Sequence, residues 1–136
     1  MTVEISELSK EEIKEMKNRF GIPEIELSTV CARDKKCAYC GKEMIYPSDL
    51  KNLKDSASIE HLNFDGPFHW KDGLEIRDIV MCCRSCNSSR GIHKLENWFK
   101  TKYCIDRNIN ENTVASPVKE YLNRKKNASP ASPHSV

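Results

Sequence analysis

The spacing of apolar residues predicts two helices in the first quarter of the chain. Ile13, Met16 and Phe20 lie on one helical face behind a Ser-x-x-Glu capping box, which predicts a helix over residues 10–20. Residues 24–34 (EIELSTVCARD) predict a second, shorter helix before the first pair of cysteines. We expect the first helix to pack against the core formed by the rest of the chain.

The middle of the chain alternates between short apolar runs and polar loops. Residues 58–62 (SIEHL) and 76–83 (IRDIVMCC) predict two strands, the second from its β-branched and apolar content. Residues 47–57 are polar and predict a loop. Residues 64–73 contain two glycines and a proline, so they predict an irregular connection rather than a helix. The expected order is therefore loop, strand, loop, strand.

Two further helices are predicted towards the C terminus. Residues 92–103 have a core-facing stripe at helical spacing, made of Leu95, Trp98, Phe99 and Tyr103. Residues 117–126 are basic and follow Ser116, which suits an N-cap. This helix could contact phosphates or simply be solvated. The ending, residues 127–136, is small, polar and proline-containing, and predicts a disordered tail.

Composition narrows the class of protein. The 136 residues suit one small domain, and contents of 38% hydrophobic and 7% aromatic residues suggest that a cross-link or metal stabilises its core. Because no signal-peptide pattern or membrane-length apolar run is present, we expect a cytoplasmic protein with no membrane partner. In that compartment, clustered cysteines are more often metal ligands than disulfides.

Charge is distributed unevenly along the chain. Residues 1–30 carry four basic and seven acidic side chains, while residues 31–136 carry eighteen basic and thirteen acidic ones, a surplus of +5. This surplus is compatible with a polyanionic partner such as DNA. It is equally compatible with an ordinary solvated surface.

Two Cys-x-x-Cys pairs predict a metal site. Cys37 and Cys40 lie in the segment CAYCG, where Gly41 can take the positive φ that such a turn often requires. Cys83 and Cys86 form a second pair after 42 intervening residues. Two such pairs complete a tetrahedral, structural zinc (Zn²⁺) site with no open position.

Cys82 competes with its neighbour for a place in this site, because it also precedes Cys86, with three residues between them instead of two. Adjacent strand residues point to opposite sides, so only one of Cys82 and Cys83 can face the metal. We choose Cys83. Cys31, Cys82 and Cys104 are then expected to be small buried apolar side chains. Disulfides or buried free thiols are the alternative to zinc.

A base and several oxygen ligands lie within the 42 residues between the two cysteine pairs and just after the second pair. Glu60 and His61 precede the second pair, Asp78 lies just before it, and Asn87 follows directly after it. A neutral imidazole can accept a proton from water, while carboxylate and amide oxygens hold Mg²⁺ against a phosphate. The set suits phosphodiester hydrolysis. Taken alone, His61 could equally be a hydrogen-bonded structural histidine.

The order of these motifs resembles a known family. The segments RDKKCAYCGKEM, SIEHL, DIVMCCRSCNSSRG and LENWF are similar to successive blocks of the HNH endonucleases that carry a four-cysteine zinc. The resemblance implies an α+β fold, namely a small ββα-metal finger stapled by the four-cysteine zinc and flanked by helices. The chain would comprise an N-terminal helical segment (1–30), a nuclease core (31–104), a C-terminal basic helix (105–126) and the tail (127–136).

The resemblance also implies a role for each site residue. His61 would be the general base, with its other ring nitrogen held by a backbone carbonyl. Glu60 and Asn87 would bind the catalytic divalent ion, Mg²⁺ or Mn²⁺. Asp78 stands where the family has an asparagine that tethers the loop between the strands, and a carboxylate cannot donate as an amide does. Arg90 would clamp a phosphate, or be a solvated or capping arginine.

The function predicted from these residues is an HNH-type DNA endonuclease. The alternative is a non-catalytic, zinc-stabilised module that binds nucleic acid or protein. The nuclease hypothesis is favoured by the presence of Glu60, His61 and Asn87, because a binding module would not need these residues. Cutting both strands with one such site would favour a homodimer. Structural or surface positions are expected for His69 and His93.

Overall fold

The structure, a computed structural model, describes residues 19–46 and 54–128. The helices and strands in these ranges are α1 (Glu24–Arg33), β1 (Ala57–His61), β2 (Ile79–Cys83), α2 (Arg84–Arg90), α3 (Leu95–Trp98), α4 (Lys102–Arg107) and α5 (Ser116–Ala128). Most of the helix predicted over residues 10–20 and most of the predicted tail lie outside the described residues. The helix predicted over 24–34 is confirmed as α1.

The two predicted strands form one antiparallel pair. The register places Glu60 opposite Val80 and His61 opposite Ile79. Residues 76–78, predicted as the start of the second strand, instead form a 3₁₀ turn. The strands diverge there, but one further bond joins the backbone NH of Leu62 to the carbonyl of residue 78 at 2.7 Å. The coarse fold prediction is confirmed: the described chain is a small α+β structure with a four-cysteine cluster.

All five residues of β2 are buried because apolar clusters cover both of its faces. Val80 and Cys82 belong to one cluster, which is centred on the indole of Trp98. Ile79 and Met81 belong to the other, which includes side chains of α1. Burial on both faces explains why β2 is a continuous apolar run without polar alternation.

The helix predicted over residues 92–103 is in fact two short helices, α3 and α4. The break is at Thr101, the N-cap of α4, whose hydroxyl lies 3.5 Å from the backbone NH of Cys104 and donates to the carbonyl of Trp98 at 2.7 Å. Threonine favours such capping bonds over a helix interior. The apolar stripe persists across the break, since Trp98 is buried and Tyr103 packs against the same cluster.

The last helix, α5, confirms the helix predicted over residues 117–126. Val118 and Tyr121 pack into the cluster around Trp98. The backbone NH of Ala115, just before α5, donates to the carbonyl of Ala38 at 2.9 Å and so ties this helix to the first cysteine turn. None of the helices in residues 19–46 and 54–128 has the length and apolar character needed to cross a bilayer.

Candidate metal centre and active site

The four cysteines predicted to bind a metal meet at one point. The sulfur atoms of Cys37, Cys40, Cys83 and Cys86 all lie within 4.8 Å of one another, and those of Cys40 and Cys83 are 4.0 Å apart. A tetrahedral site with Zn–S bonds of about 2.3 Å places its sulfurs about 3.8 Å apart. The cluster therefore fits a metal ion such as zinc after small adjustments, and could bind one.

The backbone around each pair aims NH groups at a sulfur. In the first turn, Gly41 has a φ of 80° and its backbone NH donates to the carbonyl of Cys37 at 3.0 Å. The backbone NH of Cys40 donates to Cys37 Sγ at 3.4 Å. In the second, Cys83 is the N-cap of α2 and its sulfur accepts from the NH of Cys86 at 3.4 Å. Such bonds stabilise a thiolate over a thiol.

Cys82 is excluded from the cluster by the pleat of β2, as predicted. Burial raises the pKa of its thiol well above the ordinary value, so it stays neutral. Hydrogen bonding with Cys37 lowers the pKa of Cys83, while hydrogen bonding with Cys40 raises the pKa of Cys37, so the clustered thiols share their protons. A metal ion would displace these protons and bind the thiolates. Cys31 and Cys104 are buried, which confirms the positions expected for them.

His61 lies at the end of β1 with its ring held on three sides. Nδ1 lies 3.1 Å from the carbonyl oxygen of Asn63, which is the kind of contact that the resemblance implied. The rings of Phe20 and Phe68 flank the imidazole, at centroid distances of 5.4 and 4.7 Å. A carbonyl oxygen can only accept, so Nδ1 carries the proton and Nε2 is the acceptor. Nε2 has no hydrogen-bond partner among the described residues.

The loop between the strands is tethered by Asn63, not by Asp78 as the resemblance implied. Asn63 Nδ2 donates to the carbonyl of Pro67 at 2.6 Å, while its own carbonyl holds His61. The carboxylate of Asp78 instead lies 3.3 Å from Nη2 of Arg124 on α5. Sequence reasoning missed Asn63, although an asparagine entering a loop rich in glycine and proline is a turn signal.

Glu60 points to the other side of β1 from His61 and forms a buried ion pair. Its Oε2 accepts from Arg90 Nη1 at 2.7 Å and from Tyr39 Oη at 2.6 Å. Glu60 is only 5% exposed and Arg90 only 3%. Burial also raises the pKa of Tyr39 well above its ordinary value, so the phenol remains a donor to the carboxylate.

Arg90 is thus occupied inside the protein. Besides Glu60 and Tyr39, its guanidinium donates to three backbone carbonyls, those of His61, Leu62 and His93. A phosphate clamp needs an exposed guanidinium, and this burial argues against the predicted phosphate contact. Arg90 instead joins α2 to the end of β1 and so supports the segment that carries His61.

Asn87 is anchored to β1 by its amide nitrogen. Nδ2 donates to Ser58 Oγ at 3.0 Å and to the carbonyl of Ile59 at 3.3 Å. These bonds fix the amide so that Oδ1 has no hydrogen-bond partner among the described residues. Glu60 Oε1 is likewise unpartnered within the described ranges. Asn87 therefore lies against the strand that ends at His61, whereas Glu60 is buried on the opposite side of that strand from His61. The structure does not bring the carboxylate of Glu60 and the ring of His61 to the same side of β1.

The other two histidines in the described part of the chain are structural or exposed, as expected. His69 accepts from the NH of Lys71 at 3.1 Å and caps a 3₁₀ turn. Its ring packs against Gly21, whose φ is 71° and where any side chain would collide with the imidazole. His93 is exposed on the segment that follows α2.

No protein-family model, no curated protein and no solved structure matches this chain. The resemblance to the HNH endonucleases therefore rests on the motifs of the chain itself. Among the described residues, the four cysteines are also the only group of three or more Cys, His, Asp or Glu side chains whose ligand atoms come together in this way.

Proposed function

We propose that this protein is a metal-dependent endonuclease of the HNH type that hydrolyses phosphodiester bonds in DNA. One observation carries the proposal: the proton on Nδ1 of His61 is held by the carbonyl of Asn63, and Nε2 has no hydrogen-bond partner within residues 19–46 and 54–128, so it can act as an acceptor. The amide oxygen of Asn87, which has no hydrogen-bond partner among the described residues, adds a ligand of the kind that a hard divalent cation prefers.

In the proposed reaction, His61 is the general base. Nε2 accepts a proton from a water molecule as the water oxygen attacks phosphorus, and the bond from phosphorus to the 3′ oxygen breaks. The departing 3′ oxygen takes its proton from solvent. The Asn63 carbonyl stabilises the imidazolium that forms, because the Nδ1–H bond to it strengthens when the ring becomes positive.

Asn87 Oδ1 would hold the catalytic Mg²⁺ or Mn²⁺. Glu60 is buried on the other side of β1 from His61 and would join the ligand set only by turning away from Arg90 and Tyr39. When bound, such an ion neutralises the charge that develops on the phosphate. One or two protein ligands are few for an octahedral ion, and water and the phosphate would complete the set. Because Arg90 already offsets the charge of Glu60, we expect the free ion to bind weakly and to bind better with DNA present.

The cysteine cluster would hold zinc in a structural role. The succession β1, β2, α2 has the order of a ββα-metal finger, and one cysteine pair lies at the junction of β2 and α2. Four thiolates leave no coordination position open, so this metal would take no part in hydrolysis. Its role would be to stabilise the fold of the two strands and the helix that carry the site residues.

Nicking of a supercoiled plasmid tests the proposal. Wild type should nick in Mg²⁺ or Mn²⁺, and His61→Ala should be slower by roughly 10²-fold or more, since it loses the general base. His93→Ala, a change to an exposed histidine outside the site, is the matched control and should cut like wild type. Zinc content is measured on every sample, so that loss of the structural metal is not mistaken for loss of the base.

Failure of the folded protein to cut DNA would contradict the proposal. If folded, zinc-loaded wild type leaves the plasmid uncut in both Mg²⁺ and Mn²⁺, the protein is not a nuclease of this type. Binding of DNA or of a protein by such a preparation would support the alternative, a non-catalytic zinc module.

A further inference from the structure

Because Arg90 is buried, other residues would have to contact the phosphates of a nucleic-acid substrate. We propose that Arg19 and Arg84 bind its phosphate backbone in a cleft beside Asn87. This inference rests on the proposed nuclease function and identifies the residues that would hold the substrate against its active site.

The cleft has a volume of about 270 Å³ and is lined by Arg19, Arg84, Asn87 and Ser88. A water molecule occupies about 30 Å³ in the liquid, so the cleft has room for a phosphate group with several waters. All four side chains carry polar groups, and three of them are hydrogen-bond donors suited to an anion: two guanidinium groups and a hydroxyl.

The helical repeat of α2 explains why these residues share a surface. Arg84, Asn87 and Ser88 are related by steps of three and four residues and therefore lie on one face. Cys86 and Arg90 lie on the buried face. One side of this helix thus serves the cysteine cluster and the Glu60 ion pair, and the other side lines the cleft.

Neither arginine of the cleft has an acidic partner among the described residues. No carboxylate in residues 19–46 or 54–128 lies within 4.0 Å of either guanidinium. The described ion pairs involve other basic residues, namely Arg33, Lys42, Arg77, Arg90, Lys102, Arg124 and Lys126. An unpaired guanidinium facing a polar cleft can bind a phosphate through two parallel hydrogen bonds.

The cleft is connected to His61 from two directions. The guanidinium of Arg19 lies 5.9 Å from the centroid of the Phe20 ring, and that ring packs edge-on against the imidazole of His61. From the other wall, Asn87 bonds to the carbonyl of Ile59, two residues before His61. A strand held in the cleft would therefore run past the free amide oxygen of Asn87 towards the base.

Direct binding tests the assignment without requiring cleavage. Anisotropy of a fluorescein-labelled DNA duplex is measured over a range of salt, in buffer without divalent cations. Arg19→Ala and Arg84→Ala should each weaken binding roughly tenfold, as expected for loss of a charge-assisted hydrogen bond. Each should also lower the slope of log affinity against log salt by about one, since one phosphate contact is lost.

Two further variants sharpen the experiment. Arg84→Lys keeps the charge but not the bidentate geometry, so it should retain most of the salt slope while losing part of the affinity. Lys100→Ala removes one charge from an exposed position outside the cleft and should leave the slope close to that of wild type. Zinc content and melting temperature must match wild type in each variant.

The two proposals fail separately. Wild-type affinity and salt slope in a folded Arg19→Ala, Arg84→Ala double variant would overturn the cleft, while plasmid cutting by wild type would still support the nuclease. A wild type that binds through these arginines but never cuts would support the cleft and remove the nuclease proposal. If wild type cuts, we expect the single variants to raise KM with little change in kcat.

Discussion

At the scale of single residues, the two sides of β1 serve different purposes. His61 faces aromatic rings and a backbone carbonyl, and its Nε2 is free of partners within the described ranges. Glu60, one position earlier, faces inward and binds Arg90 and Tyr39. The alternation of a strand therefore places a base and a buried ion pair back to back, so that the pair holds the backbone from which the base projects.

This arrangement predicts that Arg90 matters for stability rather than for DNA contact. Arg90→Ala leaves the Glu60 carboxylate buried without its partner, and should lower the free energy of unfolding by about 3–5 kcal/mol. Arg84→Ala, the same change at a partly exposed position of α2, should cost less than about 1 kcal/mol. Urea unfolding of zinc-loaded protein measures both. A stable Arg90→Ala variant that binds DNA weakly would instead restore the phosphate-clamp role.

At the scale of elements, the cysteine turns join parts of the chain that lie far apart in the sequence and pack into one apolar cluster. The first turn precedes β1, and the second joins β2 to α2. Tyr103 on α4 donates to Cys86 Sγ at 3.4 Å, and the segment before α5 bonds to Ala38 between the first two cysteines. The C-terminal helices thus pack directly on the cysteine cluster, and a metal there would stabilise them as well as the strands.

The adjacent residues Cys82 and Cys83 should therefore differ in how their substitution affects bound metal. Cys83→Ala removes one ligand of the proposed zinc, and we expect loss of bound metal and of cooperative thermal unfolding, because binding energy at such sites is largely folding energy. Cys82→Ala removes only a buried thiol and should keep one zinc per chain, with a modest loss of stability. Elemental analysis and melting curves decide this. Equal zinc content in the two variants would refute the four-cysteine site.

The same reasoning covers the first turn. Cys40→Ser, in the half-buried member of the cluster, should also unfold the domain or release its metal. Retention of the wild-type melting temperature in that variant would contradict a structural metal.

At the scale of the whole molecule, the last helix reaches back to the loop between the strands. Arg124 on α5 donates to the carbonyl of Arg77 and to the carboxylate of Asp78, at 3.2 and 3.3 Å. Tyr121 packs in the cluster around Trp98 on the same side. Asp78 therefore belongs to the contact between the loop and the C-terminal helix.

The position of Asp78 allows a direct test of the loop tether. Asp78→Asn installs the residue that the family resemblance favours, but it should not raise the nicking rate, because Asn63 already bonds across the loop. It should lower stability by no more than about 1 kcal/mol, since the ion pair with Arg124 is partly exposed. A severalfold faster Asp78→Asn enzyme would show that residue 78 is the tether after all.

Local patterns were sufficient to predict much of this protein. The two strands, α1, α5, the turn at Gly41 and the choice of Cys83 over Cys82 all follow from the period of a helix or strand, or from the geometry of one short turn. The break at Thr101 was missed because the apolar stripe continues through it. Only the capping bonds of its hydroxyl reveal the break.

Only the tertiary structure decided which polar side chains pair with each other when they lie far apart in the sequence. Arg90 and Glu60 are separated by 30 residues, and Arg124 and Asp78 by 46. An exposed arginine and a buried one obey the same helical spacing, so periodicity cannot distinguish a phosphate ligand from an internal ion pair. The packing of α2 on β1 decides that the guanidinium of Arg84 faces the cleft and that of Arg90 faces the core. The helical period alone does not say which side of α2 becomes buried.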